Sequence, residues 1–96
     1  MNQFFQDANR ILCIVKLTNT LPVLRASLNL SQEELAEYVG MSRKTINSIE
    51  NKKRIMTWSS CMTLMAFFMT NRASRNFLID NQETLDVFNQ AAKISA

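Results

Sequence analysis

The sequence has little glycine, proline or cysteine, and it has no histidine. Its 96 residues include one glycine, Gly40, one proline, Pro22, and two cysteines, Cys13 and Cys61. Two cysteines without histidine cannot form a Cys/His zinc site within one chain, and no imidazole is present to activate a serine or cysteine nucleophile. A single glycine excludes the glycine-rich loops that bind phosphate groups. We therefore expect no enzymatic activity, no metal and no cofactor.

The sequence also lacks a long apolar run. Its most apolar segment, residues 61–69, is far shorter than the roughly 20 residues that a membrane-spanning helix needs. The opening residues, MNQFFQDANR, have no basic region of the kind that begins a secretory signal. Both cysteines have apolar neighbours, which favours small buried side chains over redox centres. These features predict a cytoplasmic chain with no membrane segment.

The length and charge of the chain set wide limits on its function. A chain of 96 residues with 47% hydrophobic content can bury one small core, so we expect a single domain over residues 1–96. The 11 basic and 8 acidic residues give a net charge of +3, with an isoelectric point of about 9.2. This mild excess permits a polyanionic partner without requiring one. Whether such a partner is expected must therefore be judged from the positions of the charges along the chain.

Helix signals are frequent, and the scarcity of glycine and proline disfavours hairpins, so the sequence predicts an all-α fold. A first helix is expected over residues 2–16, although ILCIVKL also suits a buried strand. A second helix is expected from about Thr20 to Asn29, with Pro22 in its first turn. The face predicted to be buried on the first helix consists of Phe4, Ala8, Ile11, Leu12 and Val15.

The clearest helix boundaries lie around the single glycine. Ser31 and Glu34 form the S-x-x-E pattern of a capping box, which predicts a helix start. Gly40 is the residue type that ends a helix in a left-handed conformation. Ser42 can cap a second helix, in which Ile46 and Ile49 share a face. A turn this short makes the two helices cross at a steep angle, as in a helix-turn-helix.

The charges on the two sides of Gly40 differ in sign. Three glutamates precede it, and at the start of a helix they more often complement the helix dipole than act as an acid/base pair. The residues after it include a basic cluster, for which a solvated face is the simplest explanation. Here the cluster coincides with the helix-turn-helix. The cations are Arg43, Lys44, Lys52, Lys53 and Arg54.

The stretch LRASLNLSQEELAEYVGMSRKTINSIENKKR resembles the helix-turn-helix of the lambda repressor and Cro family, also called the XRE-type family. The resemblance covers roughly residues 21–68. It implies a five-helix DNA-binding domain with a core at about residues 20–70. The flanks match no family, and we expect them to form helical extensions at residues 1–19 and 71–96. The family usually has a glycine after the Asn that matches Asn51, where this chain has Lys52.

In such a pair the second helix enters the major groove, and its N-terminal residues and outward face reach base edges. Arg43 and Lys44 can donate to guanine, and Asn47 can address adenine or a phosphate. The resemblance implies that Gln32 contacts the sugar-phosphate backbone and braces Lys44, and that Glu50 is structural, with a salt bridge to Arg25 as one option. The full set predicted to contact double-stranded DNA is Gln32, Arg43, Lys44, Thr45, Asn47, Ser48, Asn51, Lys53 and Arg54.

Two further helical regions follow. Thr57 can cap a helix over residues 58–70 that buries Cys61, Leu64, Met65 and Phe68. In the tail, Leu85, Phe88 and Ala92 are predicted to share a face. Since one small domain reads only half of a symmetric site, we expect a homodimer whose interface uses residues 77–94 and also, in one version, residues 1–16. Alternatively, both end segments complete the core of their own chain.

Two functions from different classes fit these features. The first is a sequence-specific transcriptional regulator that represses by occupying an operator, as the resemblance implies. The second is a protein-interaction module, such as an antitoxin, whose terminal helices hold a partner protein. A helix-turn-helix that serves only as a packing unit is a further alternative, because a fold alone does not determine function.

Overall fold

In this computed structural model, three of the helices start at a serine or threonine whose hydroxyl caps the first turn. The structure describes residues 3–93, with side chains from residue 7 onward, and within this range it contains helices and no strand. This confirms the all-α prediction and removes the strand alternative for ILCIVKL. The helices are α1 (Gln3–Ser27), α2 (Gln32–Val39), α3 (Arg43–Glu50), α4 (Trp58–Thr70), α5 (Arg72–Asp80) and α6 (Gln82–Ala92).

The two helices predicted before Ser31 are one continuous helix, α1, and Pro22 lies inside it. The predicted break near residues 17–19 and the predicted placement of Pro22 in a first turn were therefore wrong. Proline removes one backbone N–H, so it leaves the carbonyl of Thr18 without its helical donor and interrupts only that hydrogen bond. Leu17, Leu21 and Leu24 are fully buried on both sides of this point, and their packing supports the helix through it.

The face of α1 that packs on the core also differs from the prediction. Ile11, Leu12 and Val15 are exposed, with 62%, 45% and 50% of their surface accessible, while Cys13 and Leu17 are fully buried. The predicted face was wrong because the apolar residues of α1 lie on two sides of the helix, and spacing alone cannot show which side packs. The side chain of Phe4, and Asn2, the first residue of the predicted helix, lie outside the described part of the chain.

The boundaries of α2 and α3 agree with the sequence prediction. The backbone N–H of Glu34 donates to the Ser31 hydroxyl at 3.0 Å, and the backbone N–H of Ser31 donates to Glu34 Oε1 at 2.9 Å. Accepting this backbone hydrogen bond lowers the pKa of Glu34. Gly40 ends α2 in the left-handed conformation, at φ 73°. The hydroxyl of Ser42 caps α3 by accepting from the N–H of Thr45 at 3.0 Å.

Helix α4 lies against α1, α2 and α5 and supplies much of the core. Thr57 caps it as predicted, and the four residues predicted to face inward are all buried. Cys13 of α1 and Cys61 of α4 meet in this core, where their sulfur atoms are 3.7 Å apart and both cysteines are free thiols. The hydrogen bond with Cys13, together with burial, raises the pKa of Cys61. This is the structural role predicted for both cysteines.

The tail forms two helices, and its buried face lies one position away from the prediction. Thr84 and Ala91 are buried in α6, whereas Ala92 is exposed. Phe88 packs against the core as predicted, whereas the prediction for Ala92 was wrong. Helix α6 packs on α1, and Lys16 Nζ lies 2.6 Å from Glu83 Oε1. The ring of Phe88 packs at 6.2 Å from that of Trp58.

The described end helices thus contribute to the core of their own chain, because Leu78 of α5 and Ala91 of α6 are both buried in it. Ile94, which closes the interface predicted for dimerisation, lies outside the described residues. Between residues 3 and 93, no single helix is long and apolar enough to cross a membrane. Helices α1 and α2 meet those criteria only as a pair, with a bend of 104° between them.

Candidate nucleic-acid interface

The end of α3 is tied to α1 and α2 by one carboxylate. Glu50, the last residue of α3, accepts from Arg25 Nε at 2.9 Å and from a second nitrogen of the same guanidinium at 3.0 Å. The side chain of Glu50 is 6% exposed and that of Arg25 is 21% exposed. The hydrogen bonds to Glu50 raise the pKa of Arg25, and burial acts in the opposite direction. The salt bridge considered from the sequence is therefore present.

A hydrogen-bonded chain of amides extends from Glu50 across the outer side of the two helices. Gln32 Nε2 donates to Glu50 Oε1 at 3.0 Å, and Gln32 Oε1 accepts from Asn47 at 3.1 Å. Asn47 in turn accepts from Asn51 Nδ2 at 3.1 Å. Gln32 was predicted to brace Lys44, but these bonds place its brace on Asn47. The three amides are held in fixed orientations by a buried charge.

The loop after α3 is folded back onto that helix. The carbonyl of Ser48 accepts the backbone N–H groups of Lys53 and Arg54 at 2.9 and 3.2 Å. Arg54 Nη1 donates to the hydroxyl of Thr45 at 3.2 Å, and Thr45 also shares a hydrogen bond with the Ser42 hydroxyl at 2.9 Å. Arg54 follows α3 in the sequence, and this hydrogen bond places its side chain against the first turn of α3.

Four cations border this network and are exposed. Arg43 and Lys44 occupy the first turn of α3, and Lys53 and Arg54 occupy the loop beyond its last turn. Ile46 and Ile49 are buried on the opposite side of α3, so the hydrophilic side faces outward. Such a surface suits a polyanion of regular shape, because fixed donors and cations line one exposed helix face.

Lys52 stands where the family resembled usually has a glycine, and its backbone conformation is one that favours glycine. Its φ is 60°, in the left-handed region, and Asn29 is the other residue other than glycine with positive φ among residues 3–93. The sequence left the shape of this loop open because a lysine stands at the glycine position. The structure shows that the turn is kept and that the lysine adopts a backbone conformation that costs free energy.

The predicted contact residues fall on one side of α2, α3 and the following loop. Gln32, Asn47 and Asn51 form one hydrogen-bonded group, and Thr45 and Arg54 form another. Sequence reasoning missed the link between Asn47 and Gln32, and it missed the part played by Ser42 beyond its cap. Spacing gives no signal for either contact, because each depends on how closely α2 approaches α3.

These features define a helix-turn-helix unit with a basic outer face. Residues 24–57 match the family model described as Helix-turn-helix, which is of the XRE or lambda repressor type. The matched segment runs from the end of α1 through α2 and α3 to the cap of α4. A search of curated proteins and a search of solved structures each give no match. The chain thus carries a lambda repressor-type helix-turn-helix, and the resemblance seen in its sequence is confirmed for this segment.

That family is a DNA-binding regulatory family and is typically non-enzymatic. The match supports a DNA-binding helix-turn-helix regulator as the general class of this chain.

Proposed function

We propose that this chain is a sequence-specific transcriptional repressor that reads the major groove of double-stranded DNA with α3. The observation that carries the proposal is the outer face of α3, which presents Arg43 and Lys44 in its first turn, where recognition helices contact base edges. The face is held in place by hydrogen bonds that end at the buried carboxylate of Glu50.

The contacts divide into two groups. Arg43 and Lys44 are the base readers, because their charged ends are exposed and project from the start of α3. Asn47 keeps one free N–H and one free lone pair after its bonds to Gln32 and Asn51, which is enough to address a single adenine. Thr45 lies between Lys44 and Asn47 on α3, and Ser48 follows Asn47.

The second group consists of phosphate contacts. Lys53 and Arg54 lie beyond the end of α3, and Gln32 and Asn51 lie at the edges of the same face. Contacts from such positions set the register of the protein on the duplex and contribute affinity without reading the sequence. Repression then follows from occupancy of a site that a polymerase or an activator requires. We assign this function to the cytoplasm.

We propose that the whole chain acts as one domain. Helix α1 crosses residue 20, where the core was expected to start, and α6 packs back on α1. These contacts support one folding unit in place of a core with separable extensions.

The test is selection from random double-stranded DNA with the wild type and an Arg43→Ala, Lys44→Ala variant. We expect the wild type to enrich one sequence, and we expect the variant to lose about 1–3 kcal/mol of discrimination per base contact removed. The matched control is an Arg72→Ala, Lys93→Ala variant, which removes the same charge from exposed positions outside α2 and α3. Equal, sequence-independent binding by all three proteins contradicts the proposal.

The alternative function, an interaction module that holds a partner through its terminal helices, requires a surface that the core does not use. In α5 and α6 the residues Leu78, Thr84 and Ala91 are already buried. An antitoxin-like role would therefore depend on another surface of the chain. Copurification of a stoichiometric protein partner from the native host, combined with failure of the DNA selection, would favour this alternative.

A further inference from the structure

A groove of about 380 Å³ lies between α1 and the loop after α3. Its apolar lining comes from Ile11, Ile14 and Val15 of α1 and from Ile55 of the loop. Ile55 is 83% exposed, and Ile11 and Val15 are at least half exposed, so the core of the chain does not use these three side chains. A groove of this volume is within the size range of small-molecule sites, and adjacent exposed apolar side chains mark an interaction surface.

Two cations complete the lining of this groove. Lys52 and Arg54 belong to the same loop as Ile55, and both line the groove with it. Among the described residues that line the groove, none is acidic. The lining therefore combines apolar side chains with positive charge, which is complementary to a ligand that has a hydrocarbon chain and an anionic group.

The guanidinium of Arg54 has donors to spare for such a group. Its Nη1 donates to the hydroxyl of Thr45 at 3.2 Å. A guanidinium carries five N–H donors in a planar fork that matches the two oxygens of a carboxylate. Arg54 can therefore bind a carboxylate in the groove, and hydrogen bonds between two charged groups are stronger than those between neutral ones.

The backbone at Lys52 supports a role for its side chain. Its φ of 60° lies in the left-handed region, where a glycine costs less free energy than a lysine. Strained backbone of this kind is concentrated at functional positions such as ligand clamps. In this groove the lysine supplies an ammonium group that a glycine could not supply.

We propose that the groove binds one molecule of an anionic amphiphile, a monocarboxylate with a medium-length hydrocarbon chain. The hydrocarbon chain packs on Ile11, Val15 and Ile55, and the carboxylate lies against Lys52 and Arg54. Burial of the hydrocarbon chain supplies most of the affinity, and the two cations select a negative head group and orient the ligand.

Such a ligand also lowers the affinity for DNA, and in this respect the inference rests on the proposed function. Arg54 is one of the proposed phosphate contacts, and its hydrogen bond to Thr45 joins it to the start of α3. A carboxylate bound to Arg54 neutralises the charge that would meet the phosphate. Because coupling between two sites is reciprocal, DNA lowers the affinity for the ligand by the same factor.

The first test is isothermal titration calorimetry of the full chain with decanoate, below the concentrations at which decanoate forms micelles. We expect one site with a dissociation constant at or below about 100 µM. Decyltrimethylammonium has the same chain and the opposite charge, and hexanoate has the same head group and a shorter chain. Each should bind at least about 10-fold more weakly than decanoate. A decanoate titration without saturation up to about 2 mM, or equal binding of the cationic amphiphile, overturns the proposal.

Lys52→Gly separates ligand binding from stability. We expect it to weaken decanoate binding by about 3- to 5-fold, in the range of an exposed ion pair, although the variant relieves the strained backbone. Lys53→Gly is the matched control, because it removes the same charge from the next position, which does not line the groove. Its affinity should stay within about 1.5-fold of the wild type. Equal loss in both variants would mean that net charge alone attracts the ligand, contrary to the proposal.

Ile11→Ser tests the apolar lining. We expect it to weaken decanoate binding by at least about 5-fold, because the hydrocarbon chain loses part of its apolar contact. Ile11 is exposed, so the variant should fold, which its circular dichroism verifies. Val23→Ser is the control: Val23 is also an exposed apolar residue of α1, but it does not line the groove, and its variant should bind as the wild type does. An Ile11→Ser variant with wild-type affinity contradicts the assigned position of the chain.

A vesicle assay separates a free ligand from a membrane surface. The protein is sedimented with vesicles of phosphatidylglycerol, which present anionic head groups and keep their acyl chains within the bilayer. We expect the protein to stay in solution, because the groove holds a single free molecule. Retention on the vesicles without saturable binding of decanoate would make this surface a membrane contact and would overturn the proposal.

Failure of this inference can be told apart from failure of the proposed function by fluorescence anisotropy with selected DNA. If the protein binds decanoate at one site but selects no DNA, the groove stands and the repressor function fails. If it selects DNA but binds no decanoate, the function stands and the inference fails. Decanoate binding that leaves the DNA affinity unchanged overturns the regulatory role.

In the result that supports both, saturating decanoate weakens binding of the wild type to the selected DNA by at least about 5-fold. Lys52 is not among the proposed DNA contacts, so Lys52→Gly should bind that DNA as the wild type does. At a decanoate concentration that half-saturates the wild type, this variant should lose less of its DNA affinity.

Discussion

At the scale of single residues, Glu50 determines where several others lie. Its buried carboxylate accepts from Arg25 and Gln32, and Gln32 in turn accepts from Asn47. A buried charge is favourable only when its hydrogen bonds are complete, so removing one donor leaves the others in a poorer environment. The face of α3 that we propose reads DNA therefore depends on a residue of α1 that does not itself lie on that face.

The contribution of this contact can be measured with Arg25→Met, which keeps most of the side-chain volume and removes the charge. We expect the free energy of unfolding to fall by about 2–4 kcal/mol, since Glu50 keeps its charge and loses its main partner. Urea denaturation followed by circular dichroism gives the value. Arg43→Met, at an exposed position of α3, is the control and should change stability by less than about 0.5 kcal/mol. Equal midpoints for the two variants would mean that the ion pair contributes nothing.

At Lys52 we expect a substitution to raise the stability of the protein. At φ 60° a lysine is strained and a glycine is not, so Lys52→Gly should stabilise the protein by about 1 kcal/mol after the entropy of the glycine is taken into account. The melting temperature should rise by roughly 4–8 °C for a domain of this size. Lys53→Gly, at the next position, has no positive φ to relieve and should lower it. A fall in melting temperature with Lys52→Gly would show that the turn does not carry the strain.

At the scale of helices, the packing of α6 on α1 joins the two ends of the described chain. Phe88 of α6 packs on Trp58, and Thr84 and Ala91 are buried. Residues 81–93 are therefore part of the fold, although they lie outside the segment that matches the helix-turn-helix family.

Deleting residues 81–96 should lower the free energy of unfolding by at least about 3 kcal/mol, because it uncovers one side of α1 and the ring of Trp58. The measurement is a urea titration of the shortened and full-length proteins. Gln90→Ala, at an exposed position of α6, should leave the midpoint unchanged. An unaltered midpoint in the shortened protein would contradict the packing role of α6.

The sequence was a good guide where a helix boundary is marked by a local hydrogen bond. The capping box at Ser31 and the cap at Ser42 depend on residues within three positions of one another, so they can be read directly. Thr57 belongs to the same group. The helix-turn-helix and the buried face of α4 were predicted for this reason.

The sequence was a poor guide where the outcome depends on packing between distant segments. Pro22 reads as a helix start, yet the packing of Leu17, Leu21 and Leu24 carries α1 through it. The apolar residues of α1 occupy two faces, and only the position of α6 shows which of them is covered. In the candidate site, the residue types at exposed positions of α3 were predictable, while the hydrogen bond between Gln32 and Asn47 depends on the approach of α2 to α3.

At the scale of the whole molecule, the small net charge of +3 hides an uneven distribution. Three of the eight acidic residues lie on α2, and five of the eleven cations lie at the first turn of α3 and in the loop after it. Phosphate contacts release counterions from DNA, so affinity should fall steeply with salt even though the chain as a whole is only mildly basic.

Lys53→Ala should weaken binding to the selected DNA and to random DNA by a similar factor. It should also reduce the slope of log affinity against log salt by about 1, since one phosphate contact is lost. Fluorescence anisotropy at several salt concentrations measures both quantities, and Arg72→Ala controls for net charge. A loss confined to the selected sequence would instead make Lys53 a base reader.

The long sequence separation between α1 and α6 has a kinetic consequence. Gln32 meets Asn47 across 15 positions and Glu50 across 18, whereas Lys16 meets Glu83 across 67. Closing a long loop costs more entropy than closing a short one, and contacts distant in sequence slow folding. We therefore expect α2 and α3 to pair early during refolding and α6 to dock late. Amide protons of α6 should exchange with solvent sooner than those of α3, as expected for a segment that detaches before the rest of the molecule opens.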